Sequence, residues 1–302
     1  DRIIAKPAQV IKDLDIGFSE TSHAYPDFQI DLNALVDKPG KYAGGHGTIV
    51  SIDDNMFSKK YAAMGLWIPS VFLRKIGGGV LFLEAYDPDK IPILFVHGSG
   101  GSPKDWDYFV KRIDRRRFQP WCFYYPSGLP LEKIGTWLNN EIKDLHARYR
   151  FNRLYVTGHS IGGLVSRSFI IKNVFEDHQD YVKKFFSIAT PWAGIERAKF
   201  GAERAPVSVS SWKDIAPGSG FLESIFETAI TPKVSFYLFY GKKGRELPFS
   251  SNGDGAVSIQ SALYSRAQME ATKIYGFNED HAGILLSEDV LKIYNDLLIA
   301  DD

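Results

Sequence analysis

The chain contains a single cysteine, Cys122, so no disulfide framework can hold the fold together. That residue lies in the apolar run Trp121-Cys122-Phe123-Tyr124-Tyr125, where it reads as a small buried hydrophobe. An excess of either charge is also missing. Lys plus Arg and Asp plus Glu both number 36, so no long-range field draws in nucleic acid or an anionic membrane. The short basic clusters Arg115-Arg116-Arg117 and Lys242-Lys243-Gly244-Arg245 read as solvated loops beside strand ends. No apolar run approaches the roughly 20 residues of a membrane helix. There is no internal repeat, low-complexity tract or linker. No His-Glu-x-x-His or paired-cysteine spacing marks a metal hydrolase, and neither a cofactor nor a metal is expected. The chain begins at Asp1 rather than Met, so an N-terminal segment is expected to have been removed. A signal peptide is one such segment, and a secreted or periplasmic location would fit it.

What is present is ample core material: 302 residues, 44% hydrophobic and 14% aromatic, enough for a large core without staples. From about residue 91, short apolar strands alternate with longer helical patterns, which predicts an α/β fold with a mostly parallel sheet flanked by helices. Strands are expected at Ile91–Val96, Phe118–Tyr125, Arg153–Thr157, Lys184–Ala189, Lys233–Tyr240 and Thr272–Gly276. Helical spacing of apolar residues marks Asp105–Ile113, Leu131–Tyr149, Gly162–Phe175 and Glu288–Ile299. Residues 1–90 read as an N-terminal extension packing on a catalytic core at 91–302. Gly47–Ile52 and Gly79–Ala85 could add antiparallel edge strands to the sheet, and Leu66–Leu73 reads as packing.

One connection is unusually long. About 40 residues separate the strand ending near Ala189 from the one starting at Lys233, where two to six are usual, so a cap or lid is expected at about 193–231. Within it Phe221, Leu222, Ile225, Phe226 and Ala229 recur at helical spacing. Two readings stand: a face packed on the core, or apolar surface offered to an acyl chain, with Trp192, Phe221, Leu222 and Ile225 as candidate substrate contacts.

The chemistry centres on Gly158-His159-Ser160-Ile161-Gly162-Gly163. A serine hydroxyl becomes a useful nucleophile when a base takes its proton and a third group orients that base. The G-x-S-x-G pattern supplies the serine on a sharp strand-to-helix turn. By composition alone such a pentapeptide turns up in roughly one sequence of this size in six, so context decides. Here Arg153–Thr157 reads as a buried strand before it, and Leu164, Val165, Phe169 and Ile170 open a helix after it. A second strand runs into His97-Gly98-Ser99-Gly100-Gly101, a turn able to aim a backbone N–H at an oxyanion together with that of Ile161. The rival reading of that turn, a phosphate loop, lacks its Gly-Lys-Ser/Thr ending.

Of seven histidines, His97 reads as structural, His23 and His46 precede the sheet, and His146 and His178 sit near helix ends. His159 neighbours the nucleophile but points elsewhere. His281, in a loop between the last strand and the C-terminal helix, is the expected base. The acid should lie between them in the order Ser, acid, His, and Asp254 in the turn Gly253-Asp254-Gly255 is the choice. Asp214, Glu223, Glu279 and Asp280 compete, the first two reading as lid surface.

With these segments in place, the sequence resembles the lipase and esterase branch of the α/β-hydrolase superfamily over roughly Ile91 to Ile299. The likeness rests on His97–Gly101, Gly158–Gly163, Asp254-Gly255-Ala256-Val257 and His281. It implies a Ser160, Asp254, His281 triad, with the N–H groups of Ser99 and Ile161 as oxyanion hole. Thr190-Pro191-Trp192-Ala193-Gly194 resembles the turn by which lipases enter their cap. A carboxylic-ester hydrolase acting on acyl esters or lipids through an acyl-enzyme is therefore expected. The same site could serve transacylation, phospholipid deacylation or amide cleavage, which the turn cannot separate. An inactive binding module would be expected to have lost a triad member, and none is lost.

Overall fold

The computed structural model describes residues 46–198, 209–231, 233–243 and 253–300. The first half of the expected N-terminal extension, part of the expected cap (199–208), the Gly244-Arg245 end of one basic cluster and residues 250–252 lie outside them.

Eight strands form one sheet: β1 (Thr48–Ile49), β2 (Gly79–Phe82), β3 (Ile91–Val96), β4 (Phe118–Tyr124), β5 (Leu154–His159), β6 (Val182–Ile188), β7 (Ser235–Gly241) and β8 (Lys273–Phe277). The helices are α1 (Lys59–Trp67), α2 (Pro69–Lys75), α3 (Asp107–Val110), α4 (Leu131–Tyr149), α5 (Ile161–Ile170), α6 (Ser210–Asp214), α7 (Gly220–Ser224), α8 (Ile259–Ala262), α9 (Ser265–Glu270) and α10 (Glu288–Ile299). The spatial order is β1-β2-β4-β3-β5-β6-β7-β8. All pairs are parallel except β2 with β4. The N-terminal contribution thus differs in part from expectation. β2 is antiparallel to its neighbour, whereas β1 runs parallel to β2 as the true edge.

Successive side chains of a strand face opposite ways, and both faces here are covered. Leu94 and Val96 of β3 join a core with α1, α2, α4, α5 and the β6–β7 insertion. Ile93 and Phe95 join the other, under α3 and α10. The α4 stripe shows the logic at single-residue level. Ile134, Leu138 and Ile142 are wholly buried and Leu145 is 1% exposed, so one apolar face seats a helix of 19 residues.

The insertion between β6 and β7 is pinned at two points. Asp214 Oδ2 accepts from the Leu131 N–H at 2.6 Å, satisfying a free donor at the start of α4. Asp214 is therefore an anchor rather than the lid surface expected of it. Arg167 of α5, fully buried, donates from Nε to the Ile225 carbonyl at 2.6 Å and from an Nη to that of Thr228 at 3.1 Å. It also meets Glu270 Oε1 at 2.7 Å. Glu270 Oε2 in turn accepts from Ile230 N–H at 2.7 Å, so the far end of the insertion closes onto α9. No helix among the described residues is long and apolar enough to cross a membrane.

Candidate active site

The C-terminal ends of parallel strands are where such sheets carry their sites, and here β3, β5, β7 and β8 each deliver one piece. β5 ends at His159 and α5 starts at Ile161, leaving Ser160 alone on the turn with φ 54° and ψ −129°. That backbone is strained for a residue with a side chain, and it holds the hydroxyl out of the sheet. The turn closes because glycines flank it. A Cβ on Gly158 would stand 2.6 Å from the Gly162 carbonyl oxygen, and one on Gly162 2.5 Å from that of His97. The Ser160 N–H is held by the Ile188 carbonyl of β6 at 2.9 Å, and Gly163 N–H returns to the Ser160 carbonyl at 3.0 Å.

Beyond β3, the His97 turn meets the same spot. A Cβ on Gly98 would lie 3.0 Å from Ser160 Cβ, so the two turns are in contact. The turn is built from its own hydrogen bonds. His97 Nδ1 lies 2.8 Å from the Gly98 carbonyl, Tyr125 Oη donates to the His97 carbonyl at 2.6 Å, and Ser127 Oγ accepts from Gly100 N–H at 2.8 Å. Burial lowers the His97 imidazole to about 4, so it stays neutral while it holds the loop. Among the described residues the Ser99 N–H has no acceptor, and the Ile161 N–H, first in its helix, has no intrahelical one.

Asp254 and His281 are brought together from different loops. His281 Nδ1 lies 2.8 Å from Asp254 Oδ2. The other carboxylate oxygen accepts from Ala256 N–H at 2.9 Å and Val257 N–H at 2.7 Å. The His281 N–H donates to the Asp254 carbonyl at 3.0 Å. Burial pushes the Asp254 carboxyl up, but the His281 bond and the two backbone donors outweigh it and hold the group below its usual range. Gly241, ending β7, makes the approach possible: a Cβ there would be 2.6 Å from the Glu279 carbonyl and 2.9 Å from Asp254 Cβ. The Asp254 side chain is 2% exposed and that of His281 22%, so the carboxylate is sealed while the imidazole reaches the surface.

Ser160 and His281 are linked through a neighbour. His159 Nε2 lies 2.9 Å from the His281 carbonyl oxygen, and the two rings are 4.7 Å apart at 43°. His159 points at His281, a contact that no local spacing in the sequence signals. The Ser160 hydroxyl itself has no hydrogen-bond partner among the described residues.

The four expected lid contacts are buried in the core. Trp192 is 1% exposed and packs edge-on against Phe185, Phe226 and Phe236. Phe221, Leu222 and Ile225 belong to the same core, at 9%, 5% and 2% exposure. Their apolar face seats the insertion on the sheet layer. No group of His, Cys, Asp or Glu able to hold a metal ion occurs among the described residues. A cavity of about 330 Å³ beside Tyr86, Lys90, Tyr149 and Arg153 lies at the starts of β3 and β5, the opposite end of the strands from Ser160.

Residues 130–295 match the sequence family described as "Alpha/beta hydrolase of unknown function (DUF915)". That is more than half of the chain. The protein belongs to this α/β-hydrolase family. Solved structures agree on the fold. The mature form of the Bacillus licheniformis lipase BlEst2 is similar over 71% of this chain and 94% of its own, with a TM-score of 0.56 at 18% identity. The product of gene lin2722 from Listeria innocua is similar over 71% and 96%, with a TM-score of 0.55 at 16% identity. No curated protein matches the sequence.

Proposed function

We propose that this α/β hydrolase is a carboxylic-ester hydrolase in which Ser160, His281 and Asp254 act as nucleophile, base and orienting acid. The observation that carries the reading is the His281 Nδ1 to Asp254 Oδ2 contact of 2.8 Å, on a loop whose backbone is tied to the residue preceding Ser160. With Nδ1–H given to the carboxylate, His281 keeps its Nε2 lone pair free for the serine proton. Ser160 Oγ then bonds to the ester carbonyl carbon as its proton passes to His281. The carbonyl oxygen gains the negative charge and is met by the N–H groups of Ser99 and Ile161, each such donor contributing about 10²–10³ in rate. Collapse breaks the bond to the alcohol, which leaves with the proton from His281. Water repeats the cycle on the acyl-enzyme and frees the acid. The similarity to the lipase BlEst2, at 18% identity, speaks for the scaffold that carries this site.

The test is a panel of p-nitrophenyl esters of increasing acyl length alongside thioester, anilide and phospholipid substrates. Turnover of the esters above the rest, abolished in Ser160→Ala, is the expected outcome. Preference for the anilide, or ester turnover undiminished in Ser160→Ala, would overturn the assignment.

A further inference from the structure

His159 is the buried ionisable group that the mechanism above does not use. It is 8% exposed and sits between the two halves of the site. A carbonyl oxygen can only accept, so the 2.9 Å contact from His159 Nε2 to the His281 oxygen puts the ring proton on Nε2. On its other sides the ring meets the edge of Trp106, at 6.4 Å and 89°, and the Gly98 turn, where a Cβ would lie 3.2 Å from Nδ1. The charged or titratable groups acting on it are His281, Asp254 and His97.

Two features follow from this placement. The His281 backbone is clamped from both sides, its N–H by the Asp254 carbonyl and its carbonyl by His159. Moreover, His159 and Ser160 are consecutive, so the strand end that presents the nucleophile also grips the loop that carries the base. Burial, with the neighbouring His281, lowers the His159 imidazole to about 3. It therefore remains a neutral Nε2–H donor at working pH. When His281 gains its proton during turnover it faces an uncharged ring rather than a second cation.

We propose that His159 is a positioning residue: its Nε2–H bond to the His281 carbonyl and its ring contact fix the base relative to Ser160. The proposal rests on the triad reading given above. Such a link matters because a displacement of about 1 Å at a reacting group can lower the rate about 10²-fold.

The experiment compares the full chain with His159→Leu, which removes the donor at similar bulk, and His159→Gln, which keeps an amide N–H. The readouts are the rate of covalent labelling by a fluorophosphonate, kcat and KM for a p-nitrophenyl ester, and the low-field proton resonance of the His281 Nδ1–H. In labelling, the serine oxygen bonds to phosphorus, fluoride leaves and the hydroxyl proton passes through His281 to solvent. The expected result for H159L is a fall of about 10- to 100-fold in kcat and labelling with KM little changed. The Nδ1–H resonance should broaden as well, and H159Q should recover most of each. A folded H159L that labels at the parent rate with an intact resonance overturns the proposal, as does an H159Q as slow as H159L. If H159L does not fold, H159Q decides alone: near-parent labelling supports the link and a loss of that size overturns it. Ser160→Ala separates the two levels. Continued labelling in S160A sinks the triad itself, whereas a silent S160A with a fully active H159L sinks only the role of His159.

Discussion

Replacing Asp254 by Asn changes one atom, and the consequence can be worked through hydrogen by hydrogen. In the parent, Oδ1 accepts from the Ala256 and Val257 N–H groups at 2.9 and 2.7 Å, while Oδ2 faces His281 Nδ1 at 2.8 Å. An amide has one oxygen and one NH₂. If its oxygen meets the two backbone donors, both stay satisfied and the NH₂ faces Nδ1. The opposite rotamer sets NH₂ against two N–H groups and leaves all of them unpaired, so the first arrangement wins. His281 must then present a bare Nδ1 and carry its proton on Nε2, where it cannot take one from Ser160. The same replacement in other Ser-His-Asp triads lowers kcat by about 10⁴. That is about 5.5 kcal/mol of transition-state stabilisation. The assay is the fluorophosphonate labelling rate beside ester turnover, with folding checked by thermal melting. A folded D254N protein losing less than about tenfold would refute the assignment of Asp254 as orienting acid.

Arg167→Met strands the Glu270 carboxylate and frees the Ile225 and Thr228 carbonyls, a loss of about 3–5 kcal/mol for a broken buried pair. The melting temperature should fall on the order of 10 °C, and a change within about 2 °C would show that the insertion is held by other means. Stability should also decline in mild acid. His97 and His159 are lowered to about 4 and about 3, so below the unfolded value of 6.5 the unfolded chain binds protons that the folded one refuses. Their stabilisation is full above pH 6.5 and is lost at about 1.4 kcal/mol per pH unit for each, down towards pH 4 and 3. The depressed Asp254 adds its own loss at still lower pH, as protonation releases His281. Denaturant unfolding at a series of pH values measures this, and equal unfolding free energies at about pH 7 and 5 would contradict the buried, neutral state of both rings.

The parts of the fold legible in the sequence were those where local pattern and burial coincide. Leu131–Tyr149 and Glu288–Ile299 carry a single apolar stripe, and both helices have the expected bounds. The strands β3 to β8 each lie within two residues of their expected limits, although Lys183 and Lys184 interrupt the apolar run of β6 and β8 is largely exposed. Helices α1 and α2 were missed because Met64, Gly65, Leu66 and Trp67 are buried consecutively, which leaves no stripe to see. Pro69 restarts the chain as the first residue of α2. In the insertion the apolar spacing of Phe221 to Ala229 was real, but spacing alone does not say whether such a face meets a ligand or the protein's own core. Phe221, Leu222, Ile225 and Phe226 meet the core, Ala229 is exposed, and the helix itself spans only the 5 residues Gly220–Ser224. At the site, Asp254 and His281 meet and Ser160 sits on the strand-to-helix turn, a placement that motif, glycine turn and chain order point to in the sequence. The anchoring by Asp214 joins residues 83 apart and the His159 contact joins residues 122 apart. Neither leaves a local mark.

Whether Ser160 is the activated nucleophile is measured most directly by intact-mass and peptide mass spectrometry after fluorophosphonate treatment. One adduct on the peptide containing Gly158–Gly163, absent from Ser160→Ala and strongly slowed in His281→Ala, is the predicted result. An unlabelled parent protein, or an adduct that persists in Ser160→Ala, would contradict it.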